Sequence, residues 1–558
     1  AARNSLLGKA KERPQQVKQV FEVLKKQGLV QTYRAVVKKL DAYSPLGYSC
    51  AGEVIEVADD VRGFKVGDKV ACAGAGYANH AEVVSVPVNL CVKLPDDADL
   101  SQACYNTLGA IALQGVRQAD LRLGETCAVI GLGLIGQLAC LQLKASGVRV
   151  IGIDVSKAVD MAATHCADMA LTRDTPGIND KISEFTDGLG VDAVIIAAAT
   201  RSLDPVNFAG AICRKKGSIV VLGAVPTGFD REPYYYKKEL TLKMSCSYGP
   251  GRYDMSYEEK GQDYPAAYVR WTEKRNMEAF QQLLYSGKID VSYLTTHNFK
   301  FEDAPRAYDI VVNRNEPFLG MVLHYDKEKE HKKEAVHVGK MQEIKKVNIG
   351  FIGAGSYAQG NLLPNLPTEK EVGRIGVMTN SGTTSKRVAE KYHFDFCTSD
   401  EKEILENDDI NTLFIATPHD THAYYVIEGL KKNKNVYVEK PLCLTMDELV
   451  EIESLCAEAK RGVMIGFNRR FSPFAMLLKK KMGSGRMSML YRVNAGTIPA
   501  DSWIHDREIG GGRIVGEVCH FIDFMTFMCG SKPCKVSASV MEDPQRLDDT
   551  VNITVDFE

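Results

Sequence analysis

Residues 436–442 read Val436-Tyr-Val-Glu-Lys-Pro-Leu442, and this stretch decides how the second half of the chain is interpreted. The segment that begins at Asn435 is apolar at nearly every position, which is typical of a parallel strand covered on both faces. Glu439 and Lys440 then stand at its carboxyl end, where open α/β sheets bind ligands. Pro441 restricts Lys440 to an extended backbone, so the pattern predicts an ammonium directed into a ligand crevice. A solvated lysine at a strand end is the alternative that this stretch alone leaves open.

The sequence before that strand contains a dinucleotide-binding pattern. Residues 347–352 form an apolar strand, and the fingerprint Gly353-Ala-Gly355-Ser-Tyr-Ala358 follows it, with alanine in the third glycine position. Residues 359–366 are predicted to be helical. Such a turn lets backbone N–H groups at a helix amino terminus approach a pyrophosphate.

The second strand of this domain, at 374–378, is not followed by the acidic residue that would bind the ribose of NAD. Residues 379–387 offer hydroxyls and two cations, which can accommodate the 2′-phosphate of NADP or can simply open a helix. NAD and NADP therefore both remain open for this half. Thr417 and Pro418 end the next buried strand, at 413–416, beside the expected nicotinamide.

A more complete fingerprint lies in the first half. A buried strand at 126–130 leads into Gly131-Leu-Gly133-Leu-Ile-Gly136 and a helix predicted at 137–146. A second strand, at 148–153, ends in Asp154, which can accept hydrogen bonds from both ribose hydroxyls and would repel a 2′-phosphate. This half is therefore predicted to bind NAD.

Composition excludes several classes of function. The chain has 558 residues, with 69 basic against 71 acidic side chains, so nothing indicates binding to nucleic acid or to an anionic membrane. The 15 cysteines are scattered and form no C-x-x-C pair, which favours reduced thiols over a disulfide framework. No apolar run is long enough to span a membrane and residues 1–15 contain no signal-peptide core, so we expect a cytoplasmic location.

The remaining pattern predicts several domains. Residues 14–40 have helical periodicity, and strands are predicted at 51–58, 69–73 and 80–86. Asp326 to Glu334 are all charged or histidine, which predicts a solvated connector, and both ends of the chain look cropped. The predicted units are a helical lead-in (1–43), a β unit (44–120), a Rossmann domain with its closing segment (121–325), a linker (326–345), a second Rossmann domain (346–466) and part of a sheet domain (467–558).

The second half resembles the Gfo/Idh/MocA oxidoreductases. The shared motifs are Gly353 to Ala358, Thr417-Pro418 with His422, Glu439-Lys440-Pro441-Leu442, Gly466-Phe467-Asn468 and the Gly510-Gly511-Gly512 to His520 segment. The resemblance implies a Rossmann domain followed by an open, mostly antiparallel α+β sheet domain, here partial, that often mediates oligomers. It also implies oxidation or reduction of a carbinol of a sugar, nucleotide sugar or cyclitol with NAD or NADP.

The chemistry of this reaction suits the matching residues. His520 is the expected general base, because an imidazole can take and return a proton near neutral pH. Lys440 can stabilise the developing alkoxide. The family usually has an aspartate four residues before the histidine, but Gly516 stands there, so either Glu517 takes over orienting His520 or this branch binds its substrate differently. A core histidine packed on an apolar helix is the alternative for His520.

The first half resembles the medium-chain dehydrogenases, with a partial GroES-like β unit before its Rossmann domain. The zinc-ligand motif after the entry proline is replaced by Pro45-Leu46-Gly47-Tyr48-Ser49, and the multi-cysteine loop is missing, so no metal site is predicted. Cys72, His80 and Cys104 are the only residues that argue otherwise.

The fusion of these halves is similar to a group of bacterial two-domain oxidoreductases. Residues 245–264 are typical of that group, and their tyrosines, arginine and acids suit either polyol binding or packing within the protein. We expect an NAD(P)-dependent oxidoreductase of CH–OH groups in a homo-oligomer, with the two halves able to couple oxidation to reduction. The alternative is an NAD-binding scaffold or redox sensor whose first half does not catalyse.

Overall fold

The computed structural model describes residues 43–328, 335–338, 347–368, 370–458, 461–482, 485, 487–496, 498–499, 502–542 and 549–558. The chain divides into two compact units. Pro45–His331 form the first unit, and Lys332–Glu558 belong to the second. The predicted helix at 14–40 lies outside the described residues.

The first unit begins with a small antiparallel sheet. Its strands are β1 (Ser49–Glu53), β2 (Lys69–Ala73) and β3 (Cys91–Lys93), with β2 in the middle. Two helices follow, α1 (Leu100–Ala103) and α2 (Asn106–Ala119).

The predicted strand at 80–86 is not formed. The backbone N–H of His80 donates to the Leu46 carbonyl, and the His80 ring bonds the Tyr308 hydroxyl, so this segment is held by loops rather than by a neighbouring strand.

A six-stranded parallel sheet forms the core of the first unit. The order β6-β5-β4-β7-β8-β9 is that of a dinucleotide-binding doubly wound sheet, with the strand order reversing beside β4. The strands are β4 (Thr126–Ile130), β5 (Arg149–Asp154), β6 (Met169–Thr172), β7 (Val191–Ile196), β8 (Cys213–Val221) and β9 (Thr241–Met244). The helices are α3 (Leu134–Ala145), α4 (Ala158–His165), α5 (Ile178–Phe185) and α6 (Asp204–Ile212).

The closing segment of the first unit packs back on the early helices. Helix α8 (Glu273–Tyr285) places the fully buried side chain of Phe280 against Gly109 of α2, where an added Cβ would lie 2.4 Å from the ring. The elements are α7 (Met255–Glu258), α8 (Glu273–Tyr285), β10 (Thr295–Lys300), α9 (Ala304–Asn313) and β11 (Gly320–His324). Strands β10 and β11 pair in parallel.

The second unit repeats the doubly wound sheet. Its order is β12-β15-β14-β13-β16-β17-β18, so the arrangement of the first sheet recurs, with one antiparallel edge strand added. The strands are β12 (Val336–His337), β13 (Asn348–Ile352), β14 (Gly373–Met378), β15 (Phe396–Thr398), β16 (Thr412–Ile415), β17 (Asn435–Val438) and β18 (Val463–Ile465). Strand β12 lies inside the predicted linker, so part of that segment is a sheet strand rather than a solvated connector. Its pairing with β15 continues at Val338, whose backbone N–H donates to the Asp395 carbonyl.

Helices connect the strands of this sheet, further helices follow its last strand, and a hairpin of two antiparallel strands comes after them. The helices are α10 (Gly382–Tyr392), α11 (Lys402–Leu405), α12 (His422–Lys431), α13 (Met446–Glu458), α14 (Pro473–Met482) and α15 (Cys519–Cys529). A wide helical turn at Ala358–Leu362 follows the second glycine loop, and another at Ile514–Val518 leads into α15. Strands β19 (Pro533–Val540) and β20 (Val551–Phe557) pair antiparallel. The predicted α/β fold with two Rossmann-type domains is thus confirmed.

Candidate active site

The first glycine loop has the close contacts that a pyrophosphate-binding turn needs. Gly131 has φ +98°, and a Cβ there would lie 2.6 Å from the Ala198 nitrogen, while a Cβ on Gly136 would lie 1.8 Å from the Gly131 carbonyl oxygen. A Cβ on exposed Gly133 would meet no protein atom within 4 Å. The outer two glycines therefore permit close backbone packing, and the middle one keeps an open surface at the start of α3.

Asp154 braces this loop. One carboxylate oxygen accepts from the Leu132 backbone N–H at 2.6 Å, and the other accepts from the Ser156 backbone and hydroxyl at 2.9 and 2.8 Å. An ionised carboxylate has about four acceptor sites, so capacity remains for a ribose hydroxyl. The loop and the acid together fit the adenosine side of a dinucleotide.

The second glycine loop follows the same plan. Gly353 has φ +83°, and its Cβ would lie 2.6 Å from the Ala416 carbonyl oxygen, whereas a Cβ on exposed Gly355 would meet nothing within 4 Å. Ala358 is buried, which explains why a small residue suffices in the third position. This loop also fits a dinucleotide.

One of the two cations proposed for NADP binding points elsewhere. Arg387 is 5 % exposed and donates to the Gln359 side chain at 3.1 Å, on the segment that follows the glycine loop. Lys386 is exposed at the start of α10 and remains available to a ligand.

Lys440 lies at the carboxyl end of β17, and its ammonium donates to the Gly516 carbonyl at 2.7 Å. That carbonyl belongs to the turn that leads into α15. The neighbouring Glu439 is 7 % exposed and accepts from the Tyr437 hydroxyl at 2.8 Å. Burial raises the pKa of the Glu439 carboxyl. The two consecutive side chains therefore have different partners.

His520 is one helical turn beyond the carbonyl that Lys440 binds. Its ring meets Phe467 edge-on at 6.0 Å, and its buried Nδ1 has no hydrogen-bond partner among the described residues. Burial first, and then the charges of Lys440 and Arg469, lower the pKa of His520 to about 4. The ring is accordingly neutral at physiological pH, as a general base must be before it accepts a proton.

The acids near His520 are taken by arginines. Glu517 accepts from Arg513 at 3.0 Å, and Arg513 also reaches Asp549 at 3.1 Å, so the structure does not bring Glu517 to the His520 ring. Asp523, 9 % exposed, accepts a two-pronged interaction from Arg470. The sequence offered little signal for this pair beyond Asp523 following His520 by three residues, on the same helix face.

Two further histidines fix the loops around Lys440. His419 bonds the Gly510 carbonyl through Nδ1 at 2.8 Å, and burial lowers its pKa to about 4. His422, 1 % exposed, has Nδ1 2.6 Å from the Pro441 carbonyl oxygen and Nε2 3.0 Å from that of Thr417. A neutral ring donates to only one of these carbonyls. These rings connect the ends of β16 and β17 to the glycine-rich segment before α15.

The polar loop at 245–264 is largely satisfied within the first unit. Tyr264 donates to Asp254 at 2.5 Å and Arg252 donates to Glu258 at 2.5 Å. Next to this loop, Glu273 at the start of α8 is fully buried and neither carboxylate oxygen has a hydrogen-bond partner in the described part of the chain. Burial and the charge of Glu258 raise the pKa of Glu273 to about 8. These contacts favour the packing role over polyol binding for the loop.

The residues of the first half do not fit a tetrahedral zinc site. The Cys72 thiol contacts the Cys91 thiol at 3.8 Å, His80 bonds Tyr308 at 2.6 Å, and the Cys104 thiol donates to the Ser101 carbonyl. Within the described ranges, no group of three or more His, Cys, Asp or Glu side chains is arranged to hold a metal ion. Nor does any described helix have the length and apolarity needed to cross a membrane.

Family models match both halves. Residues 26–96 match "Alcohol dehydrogenase GroES-like domain" and residues 135–259 match "Zinc-binding dehydrogenase". Residues 347–467 match "Oxidoreductase family, NAD-binding Rossmann fold", and residues 482–558 match "GFO/IDH/MocA C-terminal domain".

Individual relatives are distant. D-guloside 3-dehydrogenase of Shigella flexneri is 28% identical over 274 residues, which cover 47% of this chain and 72% of the relative. Probable D-xylulose reductase A of Emericella nidulans is 27% identical over 298 residues, covering 47% and 76%. Alcohol dehydrogenase TADH from Thermus sp. ATN1 superposes with a TM-score of 0.42 at 19% identity, covering 51% of this chain and 84% of the other. The chain thus joins a medium-chain dehydrogenase half to a Gfo/Idh/MocA half, and it is an NAD(P)-dependent oxidoreductase acting on CH–OH groups.

Proposed function

We propose that the second half interconverts a sugar or cyclitol carbinol and its carbonyl, with Lys440 and His520 as catalytic residues. The observation that carries this proposal is the hydrogen bond from the Lys440 ammonium to the carbonyl of Gly516, the residue four positions before His520. Lys440 follows β17 and the second glycine loop follows the parallel strand β13, so both lie at the carboxyl edge of the same sheet. Two distant relatives, each aligned with 47% of this chain, have the names of sugar-class dehydrogenases, which supports a sugar-type substrate for the chain without assigning it to one half.

The roles follow from the chemistry of each group. The nicotinamide, when bound, accepts or returns the hydride. His520 takes the hydroxyl proton in the oxidation direction, and Lys440 donates to the same oxygen as negative charge develops there. Thr417, Pro418 and Glu439 line the cofactor side of this cleft in the proposal.

The cofactor assignment rests on the two glycine loops. We assign NAD to the first half, through Gly131, Gly133, Gly136 and Asp154, since a carboxylate at the end of β5 disfavours a 2′-phosphate. The second half takes NAD or NADP through Gly353, Gly355 and Ala358. No zinc takes part, and the protein assembles as a homo-oligomer in this proposal.

The experiment is a panel of sugars and cyclitols with NAD and NADP, followed by absorbance of the reduced nicotinamide. Lys440→Ala should abolish turnover of any substrate found, while Asp154→Ala should leave turnover by the second half intact. Activity that survives Lys440→Ala and is lost in Asp154→Ala would assign catalysis to the first half instead.

A second candidate is that the first half binds NAD without turning over a substrate. Two observations favour it. The first half has a complete nucleotide-binding loop braced by Asp154, and the candidate metal ligands Cys72 and His80 have other partners. Tight NADH binding that Asp154→Ala removes, without any change in turnover, is the result expected of such a scaffold.

A further inference from the structure

Two cations, Lys440 and Arg469, lower the pKa of His520, and neither has an acidic partner among the described residues. Lys440, half-buried, donates to the Gly516 carbonyl, and exposed Arg469 lies 3.4 Å from the Tyr491 hydroxyl with its guanidinium over Phe521. Among the residues that the structure describes, neither cation forms an ion pair with a carboxylate. Both nevertheless lower the pKa of His520, so their charges act on the ring.

The carboxylates of the same region are already engaged. Glu517 binds Arg513, Asp523 binds Arg470, and Glu439 accepts from the Tyr437 hydroxyl. Each of these three carboxylates therefore already has a partner, and in the described structure none of the three is paired with Lys440 or Arg469.

Gly516 shows why the protein does not supply another acid. A Cβ at this position would lie 3.0 Å from the Cε1 atom of His419, whose ring is fixed by its bond to Gly510. A side chain at 516 would require the His419 ring to shift by a few tenths of an ångström against its bond to Gly510. The packing at the position four residues before His520 therefore favours glycine over a carboxylate.

We propose that the substrate brings the missing carboxylate, so that the second half acts on a sugar acid whose carboxylate is bound by Arg469 while Lys440 faces the reacting hydroxyl. This inference rests on the function proposed above and narrows its substrate class. The carbinol carbon gives its hydride to the nicotinamide, the hydroxyl proton goes to His520, and the carboxylate leaves unchanged. A bound anion would also raise the pKa of His520 from its low value and make it a better base near neutral pH.

The test compares matched pairs of substrates on the full chain. D-Glucuronate is paired with D-glucose, and D-galacturonate with D-galactose, and kcat/KM is measured with NAD and with NADP. We expect kcat/KM to be about 10-fold or more higher for the acid of at least one pair, and its KM to rise with added salt.

Two variants locate the effect. Arg469→Met should lower kcat/KM for the acid about 10-fold and remove the difference in kcat/KM between the acid and the neutral sugar of the same pair. Arg461→Met is the matched control. Arg461 is exposed, lies before the amino end of β18, whereas Arg469 follows its carboxyl end, and it binds Asn433. It should alter neither substrate.

The outcomes separate this inference from the proposed function. Turnover of neutral sugars at rates equal to those of the acids, with no effect of Arg469→Met, overturns the sugar-acid assignment and leaves the function standing. Absence of turnover for every sugar and cyclitol overturns both.

Discussion

Replacing Glu273 by glutamine is expected to stabilise the first unit at neutral pH. The Glu273 carboxyl is fully buried at the first residue of α8, without a hydrogen-bond partner for either oxygen among the described residues. Its pKa is raised to about 8 in the folded protein, from an ordinary value of 4.5. The folded state therefore keeps a proton that the unfolded chain has already released.

The magnitude follows from linkage. Below pH 4.5 both states are protonated and the group has no pH-dependent effect on stability. Between pH 4.5 and 8 stability falls as pH rises, by about 1.4 kcal/mol per unit, and above pH 8 the loss is constant. At pH 7 the loss reaches about 3 kcal/mol at most, and Glu273→Gln should recover the larger part of it.

The chain provides its own reporter for this experiment. It has two tryptophans, and Trp271 lies two residues from Glu273, with the guanidinium groups of Arg117 and Arg270 at 3.4 and 3.9 Å from its ring centre. In a Trp503→Phe background, urea unfolding followed by Trp271 fluorescence reports the first unit alone. The reference protein should lose stability from pH 5 to pH 8 and the Glu273→Gln variant should not. Equal pH dependence in the two proteins would refute the reasoning.

Three further predictions concern the cofactor loops, the base and the metal. Gly133→Ala should reduce the number of tight NADH sites in a fluorescence titration, because its methyl group occupies space open to a ligand, and it should leave the melting temperature unchanged. Gly136→Ala should also lower the melting temperature, because its Cβ meets the Gly131 carbonyl. An unchanged melting temperature for Gly136→Ala would contradict this packing. For His520, with a pKa of about 4, kcat/KM should be flat above about pH 5 and fall below it as the ring is protonated, and His520→Asn should lower kcat about 100-fold or more. A kcat/KM that already falls as the pH is lowered through 7 would contradict the lowered pKa of His520. Dialysis against EDTA should leave activity unchanged, and elemental analysis that found stoichiometric zinc would reject a zinc-free first half.

Motifs built on backbone geometry could be predicted from the sequence. Gly131 and Gly353 have positive φ, and a Cβ on Gly136 would collide with the Gly131 carbonyl, as the two fingerprints predicted. Strand Asn435–Val438 places Lys440 at a carboxyl edge, as its apolar pattern indicated. These features depend on local chain sterics and on burial of both sheet faces, which a sequence records directly.

Features that depend on partners distant in sequence could not be predicted. The Arg470–Asp523 pair spans 53 residues, so sequence proximity gave little indication of it. Residues 80–86 alternate like a strand but bind loops through His80 and Tyr308, 228 residues apart. In each instance tertiary contacts outweighed the local pattern.

The role of Lys440 is tested most directly by single-turnover kinetics of Lys440→Met with a substrate found in the panel. Lys432, exposed at the end of α12, provides the control Lys432→Met. Lys440→Met should slow hydride transfer about 100-fold or more while NADH affinity and melting temperature stay within error, and Lys432→Met should change nothing. Hydride transfer at the wild-type rate in Lys440→Met would contradict the account.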